Sequence, residues 1–68
     1  MLFTVYSVNL ETKTRTQEDC ILKHTEMNLW LRSHGDINTV YEVWKGSELH
    51  SRWYWRDKLG RWGKINVL

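Results

Sequence analysis

The sequence predicts an α+β fold, a single small domain over residues 1–68 with one helix packed on an antiparallel sheet of four to five strands. The predicted element order is β-β-α-β-β-β. A chain of 68 residues suffices for one small hydrophobic core. Short segments alternate between apolar and polar residues and are separated by polar turns, as in antiparallel sheets. One central segment has the apolar spacing of a helix.

The first strand is predicted over residues 2–10. This segment is dense in Val, Tyr, Phe and Thr, which favour strands. Both of its alternating sets contain apolar residues, so we expect part of the strand to be covered on both sides. The polar residues 11–13 predict a turn.

Residues 14–24 admit two interpretations. They form either a second strand paired with the first or the start of a long helix within 17–34. We favour a strand followed by a shorter helix, because Thr25 and the acidic residue after it suit an N-cap and first turn. Gly35 suits the residue that ends the helix. The apolar patch of that helix comprises Met27, Trp30 and Leu31.

The last half predicts an antiparallel meander with strands over 37–45, 49–57 and 61–68. Polar turns that contain glycine separate these strands. Gly63 lies within the third strand, where a glycine indicates a bulge or the close approach of another group.

The five tryptophans are first explained by the need of a small domain for buried area. Each large aromatic side chain can bury about 150–250 Å². We expect three of them in the core, namely Trp30, Trp53 and Trp55. Trp44 and Trp62 either flank a binding surface or close the end of the sheet.

Charge is distributed unevenly along the chain. The net charge is +2. Residues 1–43 contain four basic and six acidic side chains, a net of −2, whereas residues 44–68 contain six basic and two acidic, a net of +4. The basic part also holds four of the five tryptophans. DNA mimicry requires a strongly negative surface, so this function class is excluded.

The strand over 49–57 carries the most informative pattern. Successive side chains of a strand point to opposite faces. The face expected to pack under the helix carries Leu49, Ser51, Trp53 and Trp55. The other face carries a basic stripe around Arg52, Tyr54 and Arg56. With its expected neighbours, the predicted partner-binding surface comprises His50, Arg52, Tyr54, Arg56, Lys58, Arg61 and Lys64.

Three interpretations of this surface compete. In the first it is a solvated sheet face on which arginine stems cover a tyrosine. In the second it binds an acidic patch on a protein, because Arg, Tyr and Trp are enriched at binding hot spots. In the third it binds single-stranded nucleic acid by neutralising phosphates and stacking on bases. The modest charge and the absence of a recognised nucleic-acid motif count against the third.

Catalysis and cofactor binding have little support in the sequence. Cys20 and His24 would share a face of a helix, so a nucleophile pair can be drawn, but a buried cysteine is far commoner. His34 could join them as a metal ligand, without the spacing of a known metal site. A chain this short is expected to lack a sizeable pocket. We therefore expect a non-enzyme with no metal and no cofactor.

Compartment is predicted from two observations. The chain has no apolar run long enough to span a membrane and no signal-peptide pattern at its beginning. Its one cysteine has no partner, which favours a reducing environment. We expect a cytoplasmic protein without membrane contact, as a monomer or a homodimer.

In its length, its predicted element order and its tail from Tyr41-Glu42-Val43-Trp44 to Arg61-Trp62, the chain resembles the small early proteins of bacteriophages, such as anti-CRISPR proteins and inhibitors of host enzymes. The resemblance implies a cytosolic protein that binds and blocks a larger host protein or nucleoprotein complex. The predicted function is therefore inhibition by occlusion through the basic stripe, and the alternative is single-stranded nucleic-acid binding by the same stripe. A structural subunit of a larger particle is a third class.

Overall fold

A computed structural model describes residues 2–66 of the chain, with the side chains of residues 2–65. It confirms the α+β fold and the order β-β-α-β-β-β. The strands are β1 (Phe3–Val8), β2 (Arg15–Ile21), β3 (Val40–Lys45), β4 (Glu48–Arg56) and β5 (Arg61–Asn66). A 3-10 turn, His24–Glu26, precedes the helix α1 (Met27–His34). The last two residues of the strand predicted over 61–68 lie outside the described residues.

The five strands form one antiparallel sheet in the order β2-β1-β3-β4-β5. β2 and β3 both flank β1, so the connection through α1 passes over β1 and leaves the β4–β5 side of the sheet only partly covered. A helix is about 10 Å wide and neighbouring strands are about 4.8 Å apart, so one helix covers two to three strands. In the described part of the chain no helix is long and apolar enough to cross a membrane.

The ambiguous segment is a strand. β2 pairs with β1 along its length, and its side chains are exposed except for Ile21, as in a polar edge strand. The predicted cap is wrong, because Thr25 lies inside the 3-10 turn and Glu26 occupies the N-cap position without a side-chain hydrogen bond. The short 3-10 turn tightens the chain before the α-helix begins.

The hydrophobic core lies between α1 and one face of the sheet. Its buried residues are Val5, Ile21, Met27, Leu31, Tyr41, Val43 and Trp53. The predicted placement of Trp53 is confirmed, and Trp30 packs against the core while half-buried. Trp62 also packs against the core. Trp55 is half-buried and does not belong to the buried cluster, so its predicted core placement is wrong. The reason is that α1 does not extend over the end of β4.

A bulge interrupts the pairing of β3 with β4. Val43 pairs with Ser51, whereas Trp44 pairs with Leu49, so His50 is the extra residue. An extra residue changes the phase of the alternation. Leu49 therefore shares the face of Trp44, and the prediction that it faces the helix with Trp53 is wrong.

Candidate functional site

The face of the sheet opposite α1 is not covered by any other element of residues 2–66. We call it the open face. Its central side chains come from β1, β3 and β4, and Arg15 reaches it from β2. Its principal members are Tyr6, Arg15, Glu42, Trp44, Arg52 and Tyr54.

Glu42 is the centre of the open face. It lies on β3 between Arg15 and Arg52, and its side chain is only 4% exposed. The Nε of Arg15 donates to Oε1 at 2.7 Å, and the Nε of Arg52 donates to Oε2 at 3.2 Å. Trp44 Nε1 also donates to Oε1, at 3.1 Å. Buried charges need such partners, so this carboxylate is fully engaged.

The electrostatics of Glu42 follow from these contacts. Burial by itself would raise the pKa of the carboxyl group. The hydrogen bonds from Arg15, Trp44 and Arg52 outweigh burial, and the pKa lies below its ordinary value. Glu42 is therefore a carboxylate at neutral pH and holds both guanidinium groups in place.

The two arginines remain accessible although they are held. Their side chains are 49% and 50% exposed. Each donates to Glu42 through Nε, and the four N–H groups on its terminal nitrogens are further donors. The guanidinium carbon of Arg15 lies 5.8 Å from the centre of the Trp44 ring, within cation–π range. Tyr6 packs edge-on against Trp44, with ring centres 6.4 Å apart.

The far end of the open face carries the rest of the stripe. Tyr54 pairs with Gly63, and Arg56 pairs with Arg61. A Cβ atom on Gly63 would lie 2.4 Å from Cδ of Arg56, so the arginine stem crosses the sheet over this glycine. The pairing of β4 with β5 has no register shift. Gly63 therefore allows the Arg56 side chain to approach the backbone closely, and it does not mark a bulge.

Three members of the predicted stripe lie where the pattern places them. Arg52, Tyr54 and Arg56 share the open face, and Arg61 extends it from β5 through its pairing with Arg56. Lys58 is exposed in the turn between β4 and β5, at the end of the face.

His50 does not lie on the open face, so its predicted position is wrong. Its ring lies 5.3 Å from that of Phe3 and 4.9 Å from that of His24, centre to centre. Phe3 packs against the core on the helix side. The cause is the bulge, which turns His50 and Ser51 to the same side of the sheet.

Lys64 also lies on the helix side, contrary to the prediction. It pairs directly with Trp53, and its Nζ lies 5.7 Å from the centre of the Trp53 ring. Directly paired residues share a face. The four-residue turn between Arg56 and Arg61 fixes this register. The predicted turn was therefore sufficient to place Lys64 opposite Trp53 and on the same face.

The sequence interpretation missed Arg15 and Glu42 as site residues. A usable signal was the charged residue in the segment Tyr41-Glu42-Val43-Trp44, since a carboxylate amid apolar strand residues needs a cation. The identity of that cation was not readable, because Arg15 lies 27 positions away in the chain.

The helix side contains an open groove of about 900 Å³ between α1 and the β4–β5 end of the sheet. The expectation that so small a chain lacks a sizeable pocket is therefore wrong. The cause is the topology, since α1 crosses β1 and leaves β4 and β5 partly bare.

Neither side of the sheet gathers the residues of a metal centre. Among residues 2–66, no group of three or more His, Cys, Asp or Glu side chains is placed to hold a metal ion.

No protein-family model matches the chain, and no curated protein and no solved structure shows significant similarity to it.

Proposed function

We propose that this protein is a non-catalytic binding protein that blocks a functional surface of a larger protein through its open face. The observation that carries the proposal is the Arg15–Glu42–Arg52 cluster. Two half-exposed guanidinium groups share one buried carboxylate and lie among aromatic rings. We expect Arg52, Tyr54 and Arg56 to make the principal contacts.

The fixed arginines support tight binding to carboxylates. A free arginine loses side-chain entropy when it is ordered at an interface, at a cost of about 0.5–1.5 kcal/mol. Glu42 already orders Arg15 and Arg52, so much of this cost is met during folding. The planar guanidinium group can then donate two parallel hydrogen bonds to a carboxylate.

The kind of partner follows from charge and composition. The open face combines Arg, Tyr and Trp, the residue types enriched at binding hot spots. Its cations, Arg15, Arg52, Arg56 and Arg61, outnumber its central carboxylate. We propose that the partner is a host protein or nucleoprotein complex with an acidic patch. A phage protein would meet this partner in the cytoplasm of the host cell. The resemblance to small phage inhibitors supports this choice.

Single-stranded nucleic acid is the second candidate for the same face. Base stacking requires an accessible aromatic ring face. The Trp44 ring is half-buried and has Arg15 over it, and Tyr54 is half-buried as well. These contacts favour the protein partner.

The test combines charge removal on the open face with a matched control. Arg52→Gln with Arg56→Gln removes two cations and leaves Glu42 bonded to Arg15 and Trp44. Lys13→Gln with Lys23→Gln removes the same charge from the β1–β2 turn and from the loop before the 3-10 turn.

Tagged wild-type protein is used to capture its partner from a bacterial lysate, and the purified partner is then titrated by calorimetry. We expect the open-face variant to bind at least about 30-fold more weakly, as for lost charged hot spots, and the control variant to bind normally. Equal weakening in both variants contradicts the proposal. Titration with labelled oligothymidylate at two salt concentrations tests the second candidate, which predicts binding with a steep salt dependence.

A further inference from the structure

We propose that the groove between α1 and β5 is a second binding site, which takes an extended acidic peptide segment of another protein. The peptide would lie beside β5 as an additional strand and insert an apolar side chain under α1. Its apolar residues lie on the helix side of the sheet, and it shares only the side chains of Arg56 and Arg61 with the open face, so the proposal goes beyond the function proposed for that face.

The walls of the groove are apolar. Leu29 of α1 is 67% exposed and Ile37 of the following loop is 54% exposed, and both line the groove. Trp55 and Trp62 form its floor, with ring centres 5.6 Å apart in an edge-to-face arrangement. Two exposed aliphatic side chains and two half-buried indoles together form an apolar binding site for an aliphatic side chain.

The floor of the groove is preformed. Trp62 packs against Tyr41 with ring centres 5.7 Å apart. It also lies so close to the end of α1 that a Cβ atom on Gly35 would be 2.7 Å from its Cζ2. Because these contacts hold the indole, binding requires little rearrangement.

The charged residues of the groove all have the same sign. Arg32 on α1, Arg56 and Arg61 around the β4–β5 turn, and Lys64 on β5 line it. No carboxylate occurs among the described lining residues. This arrangement is complementary to Asp and Glu side chains on either side of an apolar anchor.

The edge of the sheet decides between a peptide and a nucleic acid. Within residues 2–66, β5 pairs only with β4, so its outer side presents backbone N–H and C=O groups. A peptide strand can pair with these groups by β-augmentation, whereas a nucleic acid cannot. Aliphatic walls likewise suit a Val, Ile or Leu side chain better than a base. The opposite edge, β2, carries charges of both signs (Arg15, Glu18 and Asp19), and offers no such preference.

The experiment is an NMR titration of the ¹⁵N-labelled full chain with a synthetic peptide of about eight residues that alternates Glu or Asp with Val, Leu or Ile. A matched peptide carries Lys at each acidic position, and oligothymidylate is the third probe. We expect the acidic peptide to shift the backbone amides of residues 61–65 and the indole N–H signals of Trp55 and Trp62. The amides of β1, which β3 and β4 separate from β5, should not move.

Two variants separate the groove from the rest of the surface. Leu29→Glu places a negative charge in the groove and should weaken peptide binding by at least about tenfold. Leu22→Glu is the matched control, because Leu22 is similarly exposed (64%) and does not line the groove; it should bind normally. Arg52→Gln, on the open face, should also bind the peptide normally.

The proposal is overturned if the acidic peptide leaves residues 61–65 unshifted, or if the lysine peptide binds equally well. It is also overturned if only oligothymidylate shifts the groove signals, or if those signals depend on protein concentration alone, which would indicate a second copy of the chain as the occupant. Failure here leaves the function proposed for the open face untouched, because Arg52, the open-face residue that both tests share, does not line the groove.

Discussion

At the scale of single residues, Glu42 does most to define the open face. It is 3% exposed as a whole residue, yet it lies on the side of the sheet that no helix covers. Its burial comes from the side chains around it, chiefly Trp44 and the two arginines that it binds. A residue that organises two binding side chains in this way links the stability of the domain to its recognition surface.

Glu42→Gln should destabilise the domain by about 1–3 kcal/mol, the usual cost when charge-assisted hydrogen bonds to a buried group are weakened. Urea denaturation followed by tryptophan fluorescence measures the change. Glu48→Gln, at an exposed position at the start of β4, is the control and should be nearly neutral. A Glu42→Gln variant as stable as the wild type would show that the cluster does not contribute to folding.

His50 predicts a second residue-scale effect, a loss of stability on mild acidification. Burial, then the nearby basic side chains of His24, Lys64 and Lys45, lower the pKa of His50 below its ordinary value of 6.5. Its Nδ1 is buried without a hydrogen-bond partner. The unfolded chain therefore binds this proton more readily than the folded chain does. The contribution of His50 to the free energy of unfolding is complete above pH 6.5 and decreases as the pH falls below that value.

Urea midpoints between pH 7.5 and pH 5.5 measure this effect. His50→Phe keeps a ring against Phe3 and His24 and should abolish most of the decrease. His34→Gln removes a histidine outside the contacting pair and should retain it. Glu42 cannot account for a change in this range, because its pKa lies below an ordinary value of 4.5. An unchanged pH profile in His50→Phe would exclude His50 as the cause.

At the scale of elements, the junction between α1 and β5 depends on Gly35. Its backbone is in an ordinary region, with φ −72 and ψ 141, so conformational freedom is not the reason for a glycine. A Cβ atom would lie 2.5 Å from the Leu31 carbonyl oxygen and 2.7 Å from Trp62. The end of the helix and the indole floor of the groove are therefore packed directly against each other.

Gly35→Ala should cost about 1–3 kcal/mol through overpacking and should shift the fluorescence of Trp62. Gly46→Asn is a useful contrast. Gly46 has φ 61 with open space around it, and Asn tolerates this left-handed conformation, so we expect little change. Circular dichroism melting curves compare the two variants. Equal stability of Gly35→Ala and the wild type would contradict the close packing.

How far the sequence predicts these elements depends on whether the information is local. Period-two alternation predicted the stripe Arg52, Tyr54 and Arg56, and it predicted β3 except for its beginning, which is Val40 and not residue 37. The side of His50 was not predictable, because a bulge is a property of the pairing between two strands. Likewise the partner of Glu42 is Arg15, whose position depends on the order β2-β1-β3 and not on any local pattern. The open groove follows from the same order, which directs the single helix over β1.

At the scale of the whole molecule, charge and topology act together. The basic last part of the chain forms β4 and β5, so its cations lie at one end of the sheet, on both faces. The acidic side chains of the first part lie mostly in β2, the turns and α1's beginning. The charge of the molecule therefore becomes more positive across the sheet from β2 to β5.

This polarity predicts a salt-dependent encounter with acidic partners. Between 50 and 500 mM NaCl, the association rate constant with the captured partner should fall by about tenfold or more, because exposed charges are screened. The dissociation rate constant should change less. Stopped-flow tryptophan fluorescence measures both. The Arg52→Gln/Arg56→Gln variant should show a shallower salt dependence, and an association rate independent of salt would contradict electrostatic steering.

Arg56 and Arg61 couple ligand binding on the two sides of the sheet. These paired residues close the open face at one end and line the groove. Two acidic ligands, one on each side, would compete for the same pair of guanidinium groups. Occupation of either side should then lower the affinity of the other by the same factor, since linkage is reciprocal. Two acidic partners would thus weaken each other's binding through side chains that both of them contact.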